Sequence, residues 1–224
     1  MSRERLVVVG NGMAGARVVE EILKRAPDRF DIVMFGAEPY GNYNRILLSD
    51  VLNGTRSAPD ILMNPLSWYR DNAVTLHAGV KATRIDRERR IVVGAPLNKA
   101  APAYAADATG DEGAALVEAS YDHVIIATGS RPFVPPMDGF GGPGTFLFRT
   151  IDDCDRIADY ARASRRATVI GGGLLGLEAA RGLLTHDVEV TVLEAAPQLM
   201  MAQLDQESGD ILRATIEGMG MKVL

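Results

Sequence analysis

This chain has little sulfur, no excess of basic charge and no long apolar run. Its 224 residues contain one cysteine, Cys154. That count excludes a disulfide framework, a C-x-x-C redox pair and the four thiolates of an iron–sulfur cluster. His77, His123 and His186 are scattered, without the spacing of a metal site. Lys and Arg number 24 against 29 Asp and Glu, for a net charge of −5. An acidic chain without a basic run gives no support for nucleic-acid binding. No stretch approaches the roughly 18–20 apolar residues of a membrane span, so no membrane association is expected. Arg3 and Arg5 precede an apolar run of only about four residues, short of a signal-peptide core of about 7–15. The expected location is the cytoplasm. Any electrons must be carried by an organic cofactor.

What is present is an ordinary globular composition, 47% hydrophobic and 24% charged. The length suffices for one large domain or two small ones. The pattern G-x-G-x-x-G occurs twice, as Gly10-Asn11-Gly12-Met13-Ala14-Gly15 and as Gly171-Gly172-Gly173-Leu174-Leu175-Gly176. Each copy follows a short apolar run (residues 6–9 and 167–170) and opens a segment of helical periodicity. That context makes it a dinucleotide fingerprint. Two copies in matching contexts point to two dinucleotides side by side, with electron transfer between them.

The periodicity predicts a buried strand over 6–9, a helix over 13–25 and a strand over 31–35, one right-handed β-α-β unit. Ala14, Val18, Val19, Ile22 and Leu23 share the helix's inner face. Short helices are expected near 47–52 and 65–71. Strands over 74–77, 82–86 and 90–93 suit a small antiparallel meander. Residues 94–114 read as a surface loop, and 116–121 and 123–127 as strands. Pro132, Pro135 and Pro136 open a linker, so domains of 1–149 and 150–224 are expected. A helix over 152–163 precedes the second β-α-β unit (167–170, 174–185, 189–193). A last helix over 205–217, with Ile211, Leu212, Thr215 and Ile216 inward, leads to a strand at 221–224. Doubly wound domains carry more strands than this, so the second domain is expected to be truncated and the chain to be a piece of a longer protein.

Each fingerprint position has a physical task. Gly10 permits the tight turn out of the strand, Gly12 lets the backbone approach a pyrophosphate, and Gly15 lets the helix pack on the strand. The helix N-terminus offers free N–H groups and a dipole worth about 0.3–2 kcal/mol. Hydrogen bonds to charged oxygens add about 1.5–3 kcal/mol each. Candidate cofactor-binding residues are therefore Gly10, Gly12, Met13, Ala14 and Gly15, and Gly171, Gly173, Leu174, Leu175 and Gly176. Glu38, just past the second strand, can accept ribose hydroxyls; a solvated loop carboxylate is the plain alternative. Glu194 has the same place in the second unit. It would accept a 2′-OH and repel a 2′-phosphate at a cost of several kcal/mol, favouring NADH over NADPH.

With two fingerprints and Ala127-Thr128-Gly129 between them, the chain resembles the FAD-dependent pyridine-nucleotide oxidoreductases of the glutathione-reductase fold. The implied fold is α/β: tandem Rossmann-type dinucleotide-binding domains in three layers, with a small antiparallel β-meander. The first fingerprint would hold FAD and the second NADH, with Ala127, Thr128 and Gly129 near both. The stretches VVVGNGMAGARVVEEIL, EPYGNYNRILLSDVL and QLMMAQLDQESGDILRATIEGMGMKV look like the large subunit of NAD(P)H-dependent assimilatory nitrite reductases. In that branch electrons pass from NADH through FAD to an iron–sulfur cluster and sirohaem, where nitrite becomes ammonia. Only the first leg could be housed here, and no catalytic side chain or metal site is expected.

The resemblance also implies that Arg45 lies against the flavin, that the Val80 backbone meets the adenine, and that Arg131 flanks the flavin. Disulfide- and peroxide-reducing relatives carry a cysteine roughly where Ser49 stands, which argues against those chemistries. A later Gly-Asp motif that contacts flavin lies outside the sequence, so weak flavin retention and low activity are expected of these residues alone. Other readings are an NADH-dependent ferredoxin or rubredoxin reductase, a nucleotide-sensing module without turnover, and a cofactor-free fragment. Expected partners are a nicotinamide dinucleotide and a downstream redox centre or small redox protein. A homodimer is an assembly open to the full-length protein.

Overall fold

The computed structural model describes residues 3–97 and 115–224. In chain order the elements are β1 (Glu4–Val9), α1 (Met13–Arg25), β2 (Phe30–Gly36), β3 (Asn42–Tyr43), α2 (Leu48–Leu52), β4 (Leu62–Asn64), α3 (Leu66–Asp71), β5 (Thr75–Ala78), β6 (Val80–Asp86), β7 (Ile91–Pro96), β8 (Val117–Ser120) and β9 (His123–Ile126). They continue as α4 (Ile151–Ala161), β10 (Arg166–Ile170), α5 (Leu174–Leu183), β11 (Glu189–Leu193), α6 (Gln206–Gly218) and β12 (Lys222–Val223). The chain forms two compact units that interleave in sequence. One comprises Met1–Asn44 and Leu62–Arg131, the other Arg45–Ile61 and Pro132–Leu224. The sequence reading draws a single cut at 149/150.

The first unit is built on a parallel sheet of order β5-β2-β1-β9. Side chains alternate between its faces, so a strand covered on both sides must be apolar throughout. Leu6-Val7-Val8-Val9 meets that demand. Leu6 and Val8 pack with Ile32 and Met34 under Val19 of α1 and Tyr69 of α3. Val7 and Val9 pack with Val33 and Phe35 against Val80, Val92 and Ala119 of the meander. Helices, sheet and meander are thus three layers within this one unit.

The meander differs from expectation in its membership. The strand expected at 74–77 pairs in parallel with β2, and the antiparallel sheet is β6-β7-β8. The hydrophobic pattern alone could not tell a parallel edge strand from a hairpin partner. The expected loop at 94–114 begins later than read, because Gly94, Ala95 and Pro96 still pair with β6. Residues 98–114 lie outside the described part. On α1, Gly15, Ala16 and Val19 are buried, whereas Ala14 is exposed at the helix start. The ribbon of β3 with β4 had no sequence signal, being two and three residues long.

The second unit carries the parallel sheet β10-β11-β12, crossed by α5 and α6. The short helix α2 belongs to it. Leu52 packs on Gly182 of α5, where an added Cβ would stand 2.9 Å from a Leu52 methyl. The Leu48 carbonyl accepts from the Cys154 thiol at 3.5 Å, and the Leu52 carbonyl lies 2.6 Å from His186 Nε2. On α6, Gly209 and Ile216 are buried, while Ile211 and Thr215 face solvent. The expected inner face of Ile211, Leu212, Thr215 and Ile216 is therefore corrected. The buried and half-buried stripe is 209, 212 and 216, with Gly209 facing the Gln198 side chain, and Ile211 and Thr215 fall outside it.

Candidate functional site

Each β-α-β unit presents a glycine loop at the carboxyl end of its first strand. Gly10 has φ +113°, a conformation glycine adopts without strain. A Cβ there would also stand 2.2 Å from the Ala127 carbonyl oxygen. The Gly10 N–H donates to the Phe35 carbonyl at 2.9 Å, tying the loop to β2. Gly15 lies under the loop, where a Cβ would stand 2.1 Å from the Gly10 oxygen. Gly12 is different. Nothing lies within 4 Å of where its Cβ would be, so that face is open to an incoming group. In the second loop Gly171 has φ +109°, a Cβ on Gly176 would stand 1.9 Å from the Gly171 oxygen, and Gly173 is again open.

The two helices that follow share a property the other long helices lack. Helix α4 begins at Thr150 with a full capping box and acids in its first turn, and α6 begins at Asp205, whose side chain accepts from the Ser208 N–H. Helices α1 and α5 begin at Gly12 and Gly173, with no side-chain cap and no acid in the first turn. Their orphan N–H groups and positive dipole ends are left for an anion. Met13, Ala14, Leu174 and Leu175 all stand exposed at these ends. An uncapped terminus beside an open glycine face fits a pyrophosphate, so the residues present fit a dinucleotide in each unit.

A carboxylate stands beside each loop. Glu38 accepts from the Tyr40 and Tyr43 hydroxyls at 3.0 and 2.8 Å on one oxygen, and both tyrosines are buried. Glu194 accepts from the Gly172 N–H at 2.6 Å and the Ala196 N–H at 2.8 Å. The Ala196 N–H first, then that of Gly172, holds its carboxyl below the usual carboxylate range. Both are part-exposed, as a ribose-binding acid must be.

The remaining expected residues fall as follows. Gly79, next to buried Val80, donates its N–H to the Glu38 carbonyl at 3.0 Å, which brings Val80 beside that carboxylate's own residue. Ala127 covers Gly10, and its N–H donates to the Val9 carbonyl at 2.8 Å. Thr128, Gly129 and Arg131 follow on the exposed stretch after β9. Arg45 lies in the second compact unit, half-buried, with Nη1 donating to the Arg149 carbonyl at 3.0 Å. Among the described residues, no group of three or more His, Cys, Asp and Glu could hold a metal ion, and no helix is long and apolar enough to cross a membrane.

The motif pattern passed over Asn11 and Gly172, the variable letters of the two fingerprints, and it passed over Tyr40, Tyr43 and Tyr69. Gly172 carries the N–H that holds Glu194, and an added Cβ there would press on Leu199 at 2.3 Å. Tyr40 and Tyr43 follow Glu38 by two and five residues and Tyr69 is distant in sequence, and nothing in that spacing tells a hydrogen-bonding aromatic from a merely buried one.

These features define an α/β protein with two Rossmann-like β-α-β units, each carrying a glycine fingerprint and an oriented carboxylate. The chain belongs to the pyridine nucleotide-disulphide oxidoreductase family, whose sequence pattern matches residues 4–224. It is 42% identical over its whole length to a nitrite reductase [NAD(P)H] of Bacillus subtilis, covering 26% of that protein. It is 41% identical to the assimilatory nitrate reductase electron transfer subunit of the same organism, covering 27% of it. The chain thus spans about a quarter of the length of these curated relatives. Among solved structures, an NAD-dependent persulfide reductase from A. fulgidus superposes with a TM-score of 0.83 at 26% identity, over 98% of this chain and 39% of that one.

Proposed function

We propose that this chain is the electron-entry module of a larger NADH-dependent flavoprotein, with FAD on the first fingerprint and NADH on the second. Held there by the residues of the first fingerprint and Glu38, FAD would supply the chemistry of hydride acceptance from a nicotinamide and onward electron transfer. The observation that carries the reading is the pairing, in each unit, of an uncapped helix start at an open glycine with a fixed carboxylate. The protein's task is to hold the two nucleotides. The N–H groups at the starts of α1 and α5 bind pyrophosphates, and Glu38 and Glu194 accept from riboses. The anionic Glu194 disfavours a 2′-phosphate, which supports NADH over NADPH. Val80, Arg131 and the Ala127-Thr128-Gly129 segment complete the flavin side.

In the full-length protein the electrons would pass to sirohaem and an iron–sulfur cluster held outside this chain, reducing nitrite to ammonia in the cytoplasm. The whole-length similarity to the nitrite reductase supports that assignment, and the lone buried Cys154 fits a module without its own thiol chemistry. The test is anaerobic titration of the full-length protein with NADH, followed by nitrite. Bleaching of a flavin band by NADH and its return with nitrite supports the reading. Return only with an added ferredoxin or rubredoxin moves the assignment to a reductase of small redox proteins. A protein that takes up no flavin overturns it.

A further inference from the structure

One buried tyrosine sits beneath the first fingerprint without belonging to it. Tyr69 of α3 is 1% exposed and fills the cluster of Leu6, Val8, Val19, Ile32 and Met34. A phenylalanine would fill the same space without burying a hydroxyl, which is costly unless it is bonded. The hydroxyl is bonded twice. It donates to Asn11 Oδ1 at 2.7 Å and accepts from the Asn42 backbone N–H at 3.2 Å.

Both partners lead to the candidate site. Asn11 is the residue between Gly10 and Gly12, and Asn42 lies between Tyr40 and Tyr43, the two residues that hold Glu38. The Asn42 side chain continues inward. Its Nδ2 donates to Asn64 Oδ1 at 2.9 Å, and Asn64 Nδ2 donates to Glu20 Oε1, back on α1, at 3.0 Å. The Asn42 Oδ1 is buried with no hydrogen-bond partner. A polar chain therefore runs from Glu20 of helix α1 through Asn64 of β4, Asn42 of β3 and Tyr69 of α3 to Asn11 in the loop that precedes α1, with Tyr69 linking Asn42 to Asn11.

We propose that Tyr69 is a positioning residue for the first dinucleotide site. Its hydroxyl locks the phosphate loop through Asn11 and the ribose-side loop through Asn42, so that the two halves of the site are presented as one preformed surface. A preformed site loses less ordering entropy on binding, which is where the added affinity comes from. The inference rests on the proposed flavin site. Burial also pushes the Tyr69 hydroxyl up to about 12, so it remains a neutral donor throughout the physiological range.

The test uses the full-length protein with Tyr69→Phe. Removing the hydroxyl strands the Asn11 oxygen and the Asn42 N–H, so the FAD dissociation constant is expected to rise about tenfold. The apparent KM for NADH should stay within about twofold, since the second unit is untouched. Asn11→Ala removes the same bond at a half-exposed loop position and should weaken FAD by a similar factor, even if Tyr69→Phe folds poorly. In the double variant the two losses should be less than additive, because the Tyr69–Asn11 bond is counted in both. A merely structural tyrosine would lower the melting temperature of the apo-protein, leave the FAD dissociation constant unchanged and add independently to Asn11→Ala; that result overturns the proposal. If the wild-type protein itself takes up no FAD, the flavin assignment falls first and the role of Tyr69 with it. Wild-type and Tyr69→Phe proteins that load equally well overturn the positioning role alone.

Discussion

In the first unit, strand β1 runs between two neighbours, and the carbonyl of Ala127 arrives over Gly10 from β9's end. In the second, β10 pairs only with β11 among the described residues, and nothing lies within 4 Å of a Cβ placed on Gly171. Yet both glycines hold nearly the same φ, +113° and +109°. The third glycines are also alike, each pressed on the carbonyl of the first. What repeats between the two fingerprints is the fold of the loop onto its own helix. What differs is the crowding by a neighbouring strand, which the six-letter motif does not encode.

That difference can be broken most directly by substitution. Gly10→Ala meets both a left-handed backbone and a carbonyl oxygen, and should cost about 3–5 kcal/mol of stability. Gly171→Ala meets the backbone strain alone and should cost about 1–2 kcal/mol. Chemical denaturation of the two variants checks this. Equal losses would mean that the neighbouring strand contributes nothing at Gly10.

The carboxylates extend the comparison. Glu38 is aimed by two side chains from its own loop, and Glu194 by backbone N–H groups. Glu194→Gln keeps the shape and removes the charge. The preference of the full-length protein for NADH over NADPH, read as the ratio of kcat/KM values, should fall by about tenfold. An unchanged ratio would remove Glu194 from cofactor choice.

Opposite ends of the pH scale should then act on different units. Glu194 is held below the carboxylate range, so its contribution is complete above an unfolded value of about 4.3 and is lost as the pH falls through the lower folded value. Tyr69 is raised from 10.0 to about 12 by burial. Its contribution is complete below 10.0 and is lost as the pH climbs toward about 12. Trp68 packs edge-on against Tyr69 at 5.0 Å. Its fluorescence should therefore follow an alkaline transition that Tyr69→Phe abolishes, whereas Glu194→Gln should blunt acid sensitivity only. A Trp68 alkaline transition that survives Tyr69→Phe would detach it from that hydroxyl.

Much of this was legible in the sequence, for physical reasons. Residues 13–25 have a 3.6-residue period between a glycine loop and a proline, and α1 occupies Met13–Arg25. The run Glu189–Leu193, bounded by turns, is a strand as read. The sequence places a strand at 74–77 without telling its sheet, because pairing partners are set by tertiary packing and not by the run itself. Ile211 fits the inward periodicity yet is exposed, because a helix with a narrow contact stripe carries more apolar residues than it buries. The glycines and carboxylates of the candidate site were readable from their spacing. The tyrosines that hold Glu38 and Asn11 were not, since a buried aromatic and a hydrogen-bonding one look the same in one dimension.

The smallest effect uses two natural probes that happen to fall one in each unit. The single tryptophan, Trp68, lies in the first unit, and the single cysteine, Cys154, in the second. Cys154 is 1% exposed, and burial, then the Asp155 and Asp153 carboxylates, push its thiol from 9.0 up to about 12. Alkylation at mildly alkaline pH should be slowed by on the order of a thousandfold until the second unit opens. That unit leaves Ile170, Leu174, Leu193 and Ile211 exposed, whereas the equivalent strand of the first, Leu6 to Val9, is buried on both faces. Less apolar area removed from water gives a smaller free energy of opening. In increasing denaturant, Cys154 labelling should therefore begin before Trp68 fluorescence changes. A single coincident midpoint would instead mean that the two units unfold as one cooperative body, and the contrast between them would be one of local geometry without a counterpart in stability.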